Sequence, residues 1–300
     1  MPVIRYLGPL REISSAGQQG AGEPSGAVTA RRPQPPWTDL LVALHGEVRR
    51  VVQGCDRGAA GRTNAKGDDV RLFDLAANAA AVNALKDSPV PLVIDSEESE
   101  PLEVGPGRPR HRLVLDPVDG SDNWARRLPL SALSCAVLPI DAPLHPDWVE
   151  AAMVGPLDEE TPLIALKGSG AWRGSTRLAV SGVRSITDAL ISVELNHFSP
   201  SPGLARLMRR ARGVRCYGCA SRALSLVAVG ATDAHVDVRG RLTAESHLAA
   251  ARLVIEAGGC VVGIDGPPLP AATMLTDGVC LIAAASQDLS DAIVECLQRD

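Results

Sequence analysis

HRLVLDPVDGSDNW runs from His111 to Trp124. Leu113–Leu115 form a short apolar run, which predicts a buried strand. Pro117 fixes its own φ and biases Asp116 toward extended geometry, so the strand is expected to stop there. Asp116 and Asp119 then bring two carboxylates to one place, followed by Gly120, Ser121 and Asn123. Glycine lets a backbone approach a ligand closely, and Ser and Asn start helices. Crowded carboxylates repel, and a bound cation relieves the repulsion. The same letters also compose an ordinary Asx/Pro turn, so the rest of the chain has to decide.

The chain has 300 residues, enough for two ordinary domains or one large one. Apolar residues make up 45% and aromatics only 3%, so the core must be built from Leu, Val, Ile and Ala. Lys and Arg total 30 against 35 Asp and Glu, a net charge of −5, which argues against a nucleic-acid binder. No apolar run reaches the roughly 18 residues of a membrane-spanning helix. The N-terminus lacks a continuous apolar segment of the signal-peptide kind. Seven dispersed cysteines do not resemble a secreted disulfide framework. The expected location is therefore cytoplasmic. Cys216 and Cys219 form a lone CxxC, insufficient for zinc without further ligands.

Three stretches differ in grammar. Residues 1–36 are rich in Gly, Ser, Pro and Gln and are expected to form a flexible extension. From Trp37 a helix is expected, its apolar face Leu40, Leu41, Leu44, Val48, Val51 and Val52. A polar, Gly-rich loop leads to a second helix, which Asp74 is expected to open as a cap. Leu92–Ile94 is a short strand entering DSEESE (Asp95–Glu100), read either as a solvated loop or as a second source of carboxylates. A hard cation such as Mg²⁺ keeps several waters and needs few such ligands. Strand candidates Leu133–Ile140, Trp148–Val154, Leu163–Leu166 and Arg177–Val180 suggest an antiparallel sheet. After residue 183, strands and helices alternate up to a helix ending Glu256-Ala-Gly-Gly259. The expectation is a mixed α/β fold in two parts, an α+β half over 37–182 and an α/β half over 183–300.

The order of these features resembles the inositol monophosphatase family, within the superfamily that includes fructose-1,6-bisphosphatases. DPVDGSDNW follows the family pattern D-P-x-D-G-[ST]-x-N, and IDSEES and the EAGG helix end agree with it. The resemblance covers roughly residues 37–300. It implies a layered αβαβα sandwich, as in sugar phosphatases, and Mg²⁺-dependent hydrolysis of a small-molecule phosphate monoester by metal-activated water. It implies metal-binding roles for Glu97, Asp116, the Val118 carbonyl and Asp119. It pairs Asp74 with the Ser121 hydroxyl to orient the attacking water. Gly120 and Ser121 amides would hold phosphate oxygens, and Asp119 would also touch substrate. Gly218, Cys219, Ala220 and Asp237 fall where relatives contact the alcohol portion. Family members are often dimers, so a homodimer is possible.

One departure stands out. Where the family carries Trp-Asp before the late helix, this chain has Thr243-Ala-Glu245-Ser246-His247. Counting back from EAGG puts Ser246 at the aspartate position; counting forward from Asp237 reaches Ala244. Glu245 is a candidate replacement metal ligand, or Glu245 and Ser246 simply start the helix. The alternative to an active phosphatase is a weakened homologue that binds a phosphorylated ligand or a protein partner. Arg215, Tyr217 and Arg222 could meet a second anionic group on the substrate or form a surface helix start.

Overall fold

The computed structural model describes residues 37–63 and 69–298; the expectation for residues 1–36 lies outside them. Helix α1 (Trp37–Gln53) buries Leu41, Leu44, Val48 and Val52 at helical spacing. The Gly-rich stretch after it contains a small antiparallel ribbon, β1 (Ala59–Thr63) and β2 (Asp69–Arg71). Helix α2 (Leu72–Leu85) follows directly. Asp74 is its third residue rather than its first.

Strands β3 (Leu92–Ser96) and β4 (Ser99–Val104) form a hairpin, so Glu97 and Glu98 make the turn while Asp95 and Glu100 belong to the strands. The opening stretch forms β5 (His111–Asp119) and the short helix α3 (Ser121–Ala125). Strand β5 does not stop before Pro117, as the sequence suggested. It continues to Asp119 because the proline falls at a break in the ladder, where its missing N–H is not needed. Next come β6 (Ala132–Pro139), β7 (Ala151–Pro156), β8 (Leu163–Leu166), β9 (Gly170–Arg173) and β10 (Thr176–Arg177). The strand expected over Trp148–Val154 is present but begins at Ala151, because Pro146–Trp148 form a 3₁₀ turn whose start Pro146 sets.

The eight strands from β3 to β10 lie in the order β10-β9-β8-β7-β6-β5-β3-β4. Only β3 and β5 pair in parallel. The later chain supplies β11 (Leu190–Val193), α4 (Pro202–Arg210), β12 (Gly213–Arg215), α5 (Ala220–Ala228), β13 (Ala234–Leu242), α6 (Ala244–Glu256), β14 (Cys260–Val262), β15 (Val279–Ala284) and α7 (Gln287–Gln298). These build a five-stranded sheet, β12-β11-β13-β15-β14, parallel across β12, β11 and β13.

Burial separates three cores. Leu113 and Leu115 of β5 pack with α1 and α2. Val114, on the opposite face, packs with α5 and α6, which also cover one face of the second sheet. Helices α4 and α7 cover that sheet's outer face through Leu204, Leu207, Leu289 and Ile293. The layers are therefore α, β, α, β, α. Strand β5 is covered on both faces, which explains its uninterrupted apolar run. Each fully buried leucine there contributes about 1.5–3 kcal/mol.

Candidate active site

The site grows from an irregularity in β5. Asp116 pairs with Ser134 and Asp119 with Ala132, so three steps on β5 oppose two on β6. Residues three apart on a regular strand face opposite ways. The extra residue of this bulge turns both carboxylates toward the middle helix layer. Asp116 is buried, and its Oδ1 accepts the Val118 N–H at 3.1 Å while its Oδ2 accepts the Ser246 hydroxyl at 3.2 Å. Asp119 Oδ2 accepts the backbone N–H of Ser221 at 2.6 Å, in the first turn of α5. A carboxylate there also gains from the positive end of the helix dipole.

Gly120 then turns the chain. Its φ of +83° lies in the left-handed region, and a Cβ there would sit 2.9 Å from the Cys219 Cβ and 3.0 Å from the Leu130 carbonyl. Both facts require glycine. Asn123 Nδ2 donates to the carbonyls of Leu130 and Tyr217, at 3.0 and 2.7 Å, and so ties α3 to the segment leading into α5. The Cys219 thiol donates to the Asp119 carbonyl at 3.3 Å, and burial pushes its pKa well up, so it stays protonated.

The single Ser121 hydroxyl proton is shared between two acceptors, Asp74 Oδ1 at 2.9 Å and the Val118 carbonyl at 3.0 Å. Asp74 Oδ2 accepts the Arg71 N–H at 2.8 Å, which holds the carboxylate across the start of α2. Burial pushes the Asp74 pKa up to about 6, against those hydrogen bonds, and the charge of Glu97 adds to the rise. Glu97 thus lies within electrostatic reach of Asp74, in the turn between β3 and β4.

Ser246 and Glu245 diverge. Ser246 reaches Asp116 and lines the adjoining cavity. Glu245 is buried, and its carbonyl accepts the Ser134 hydroxyl at 2.8 Å. His247 Nδ1 contacts the Thr243 carbonyl at 2.8 Å, and burial pushes its pKa down to about 4. Asp237 is fully buried and held by Arg239, whose Nε and Nη2 donate to its two oxygens at 3.0 and 2.7 Å.

A cavity of about 760 Å³ opens beside these residues. Asp119, Gly218, Cys219, Ala220 and Ser246 line one part of it, and Glu194, Arg239 and Arg241 another. The last three were not singled out in the sequence. Glu194 follows the apolar run of β11 as Asp116 follows Leu113–Leu115, and that signal was available. Arg222 and Arg215 sit elsewhere: Arg222 is buried against Glu159 at 3.1 Å, and Arg215 bonds the carbonyl of Val214. Among the described residues no three His, Cys, Asp or Glu side chains are grouped closely enough to enclose an ion.

Five alternating layers, with acids gathered at the end of one doubly covered strand, are the architecture of the layered sugar phosphatases. The inositol monophosphatase family model matches residues 41–299, and the chain belongs to that family. It is 27% identical over 277 residues to a fructose-1,6-bisphosphatase/inositol-1-monophosphatase of Methanothermobacter thermautotrophicus, covering 87% of this chain and 96% of that protein. It is 28% identical over 194 residues to inositol monophosphatase 1 of Xenopus laevis, covering 62% and 64%. A solved inositol monophosphatase–fructose 1,6-bisphosphatase superposes with a TM-score of 0.74 at 24% identity, over 87% of this chain and 99% of that one. The extragenic suppressor protein of Bartonella henselae gives 0.72 at 24%, over 87% and 98%. The fold is shared with both structures, and the enzyme is a phosphatase. Its named relatives give no support to a purely binding role.

Proposed function

We propose that this protein hydrolyses a small-molecule phosphate monoester with Mg²⁺ as cofactor. The observation that carries the reading is the Ser121 hydroxyl, which bridges Asp74 and the Val118 carbonyl beside Asp116 and Asp119. The donor set fits a hard cation. Carboxylates of Glu97, Asp116 and Asp119 and the Val118 carbonyl offer oxygen only, and burial keeps the neighbouring Cys135 and Cys219 sulfurs as thiols. Pairs of protein oxygens completed by water suit Mg²⁺, which rarely takes a full protein cage. Glu245 remains a candidate for the second ion, with Ser246 nearer to Asp116. When bound, the cations would lower the charge on the phosphate, acidify water and stabilise the leaving oxygen.

The chain's own groups do the rest. Asp74, with a pKa near 6, is poised to take a proton at neutral pH, and Ser121 orients it. Amides of Gly120 and Ser121 steady the phosphate, and Asp119 is fixed by α5 where substrate arrives. Gly218, Cys219 and Ala220 border the alcohol portion, while Asp237, expected there from the sequence, is buried behind Arg239. In this reading residues 37–182 carry the metal motifs and 183–300 the segment that meets the alcohol. Seven cysteines, all free, suit a reducing cytoplasm.

The test is phosphate release from a panel that includes fructose 1,6-bisphosphate and inositol 1-phosphate, with Mg²⁺ or with EDTA. Release that requires Mg²⁺ is the expected result. Release undiminished by EDTA would remove the cation from the reading, and no release from any ester would remove this substrate class.

A further inference from the structure

We propose that Arg241 selects phosphate monoesters whose leaving alcohol carries a second anionic group, a phosphate or a carboxylate. The inference rests on the phosphatase reading above and specifies the substrate of the same cavity. It starts from a second irregularity. Asp237 pairs with Leu281 and Leu242 with Val279, so five steps on β13 oppose two on β15. Three extra residues are looped out, and this loop carries Arg239, Gly240 and Arg241 to the cavity. Gly240 has a φ of +66°. Its carbonyl sits so close to Gly278 that a Cβ on Gly278 would lie 2.2 Å from it. Two glycines therefore permit the loop and press it against the start of β15.

The loop's two guanidiniums offset the two acids on this side of the cavity, Asp237 and Glu194. Asp237, the acid expected near the alcohol, is fully buried and has both oxygens occupied by Arg239. The Arg239 Nη1 also reaches the Asn196 carbonyl at 3.5 Å, so most of its donors are used within the protein. Arg241 differs. It is exposed, lines the same cavity as Asp119 and Ser246, and has no side-chain hydrogen bond or ion pair among the described residues. A guanidinium offers five donors in a fork that matches phosphate or carboxylate. A polyol is read best by acceptors and carboxylates, whereas a guanidinium with open donors reads an anion. A volume of about 760 Å³ holds a sugar-sized ester with two charged ends.

The experiment compares matched ester pairs on the Mg²⁺-loaded full-length enzyme. Fructose 1,6-bisphosphate against fructose 1-phosphate tests a second phosphate. Phosphoglycerate (the 2-isomer) against glycerol 2-phosphate tests a carboxylate. The readout is the ratio of kcat/KM within each pair, so a uniform loss in a damaged variant cancels. Wild type is expected to favour the doubly anionic member of at least one pair. Arg241→Ala should reduce that ratio about tenfold or more, mainly through KM, and Arg241→Lys should restore part of it. The pair that responds identifies the group. Turnover with a ratio unchanged by Arg241→Ala, or no wild-type preference in either pair, would overturn the proposal and leave the phosphatase reading intact. Release from none of the four esters would instead count against that reading and the inference together.

Discussion

Ser246 Oγ donates to Asp116 Oδ2 at 3.2 Å, joining residues 130 positions apart in the chain. A neutral hydroxyl from the first turn of α6 thus faces the most buried carboxylate of β5. Replacing it by Asp puts two acids in contact. Without cation, Ser246→Asp should lower stability by roughly 1–2 kcal/mol through like-charge repulsion. With Mg²⁺ the loss should be recovered, and calorimetric titration should show tighter binding. An apo melting temperature and a cation affinity both equal to wild type would show that position 246 does not face the ion.

Asp74 and Ser121 are hydrogen-bonded at 2.9 Å, so under the proposed mechanism removing either should have similar consequences. Asp74→Asn and Ser121→Ala are each expected to lower kcat about 100-fold or more. Ser121→Thr keeps the hydroxyl and should keep most of the rate. Steady-state phosphate release with saturating Mg²⁺ measures this. A Ser121→Ala enzyme with wild-type kcat would remove the bridge from the chemistry.

Gly120→Ala meets two obstacles at once, a φ of +83° and a Cβ pressed on Cys219 and the Leu130 carbonyl. We expect a loss of about 2–4 kcal/mol in urea denaturation. The separation of α3 from the α5 entry should also abolish most activity, because Asp119 is held between them.

His45 gives the stability a pH dependence. Its ring is buried with Nε2 3.0 Å from the Pro156 carbonyl, and burial holds its pKa below the ordinary 6.5. Above pH 6.5 both folded and unfolded rings are neutral, and this contribution to stability is complete. Below it, the unfolded chain takes up a proton that the folded ring refuses, so stability falls as pH falls toward the folded value. Denaturation midpoints measured between pH 8 and 5.5 should decline, and His45→Gln should decline less steeply. Parallel slopes in the two proteins would exclude His45 as a source.

The layers were legible because periodicity and chain order are local signals. Leu41, Leu44, Val48 and Val52 announce α1, and Val114 between Leu113 and Leu115 announces a strand covered on both faces. Order alone also put Glu97 just past the end of a strand and Asp74 in the first turn of a helix, whereas Asp116, expected at the end of its strand, lies three residues short of it. What sequence could not show was register. The strand continues past Pro117 because of a bulge, and Arg239 and Arg241 reach the cavity because of another. Whether a given acid or base faces a partner depends on how many residues oppose it across the ladder, and neighbours far along the chain decide that. The same holds for Ser246, whose partner is known only once α6 lies against β5.

Two helices of the middle layer, α5 and α6, begin at the β5 bulge, one at Asp119 and the other at Asp116. Each helix start carries roughly half a unit of positive charge. The backbone itself therefore offsets part of the acids' mutual repulsion before any ion arrives. Folding and cation binding are therefore expected to be separable. The metal-free chain should already hold its native arrangement, with a cooperative melt in EDTA only a few degrees below that in Mg²⁺, and the ion then tunes reactivity instead of assembling the scaffold.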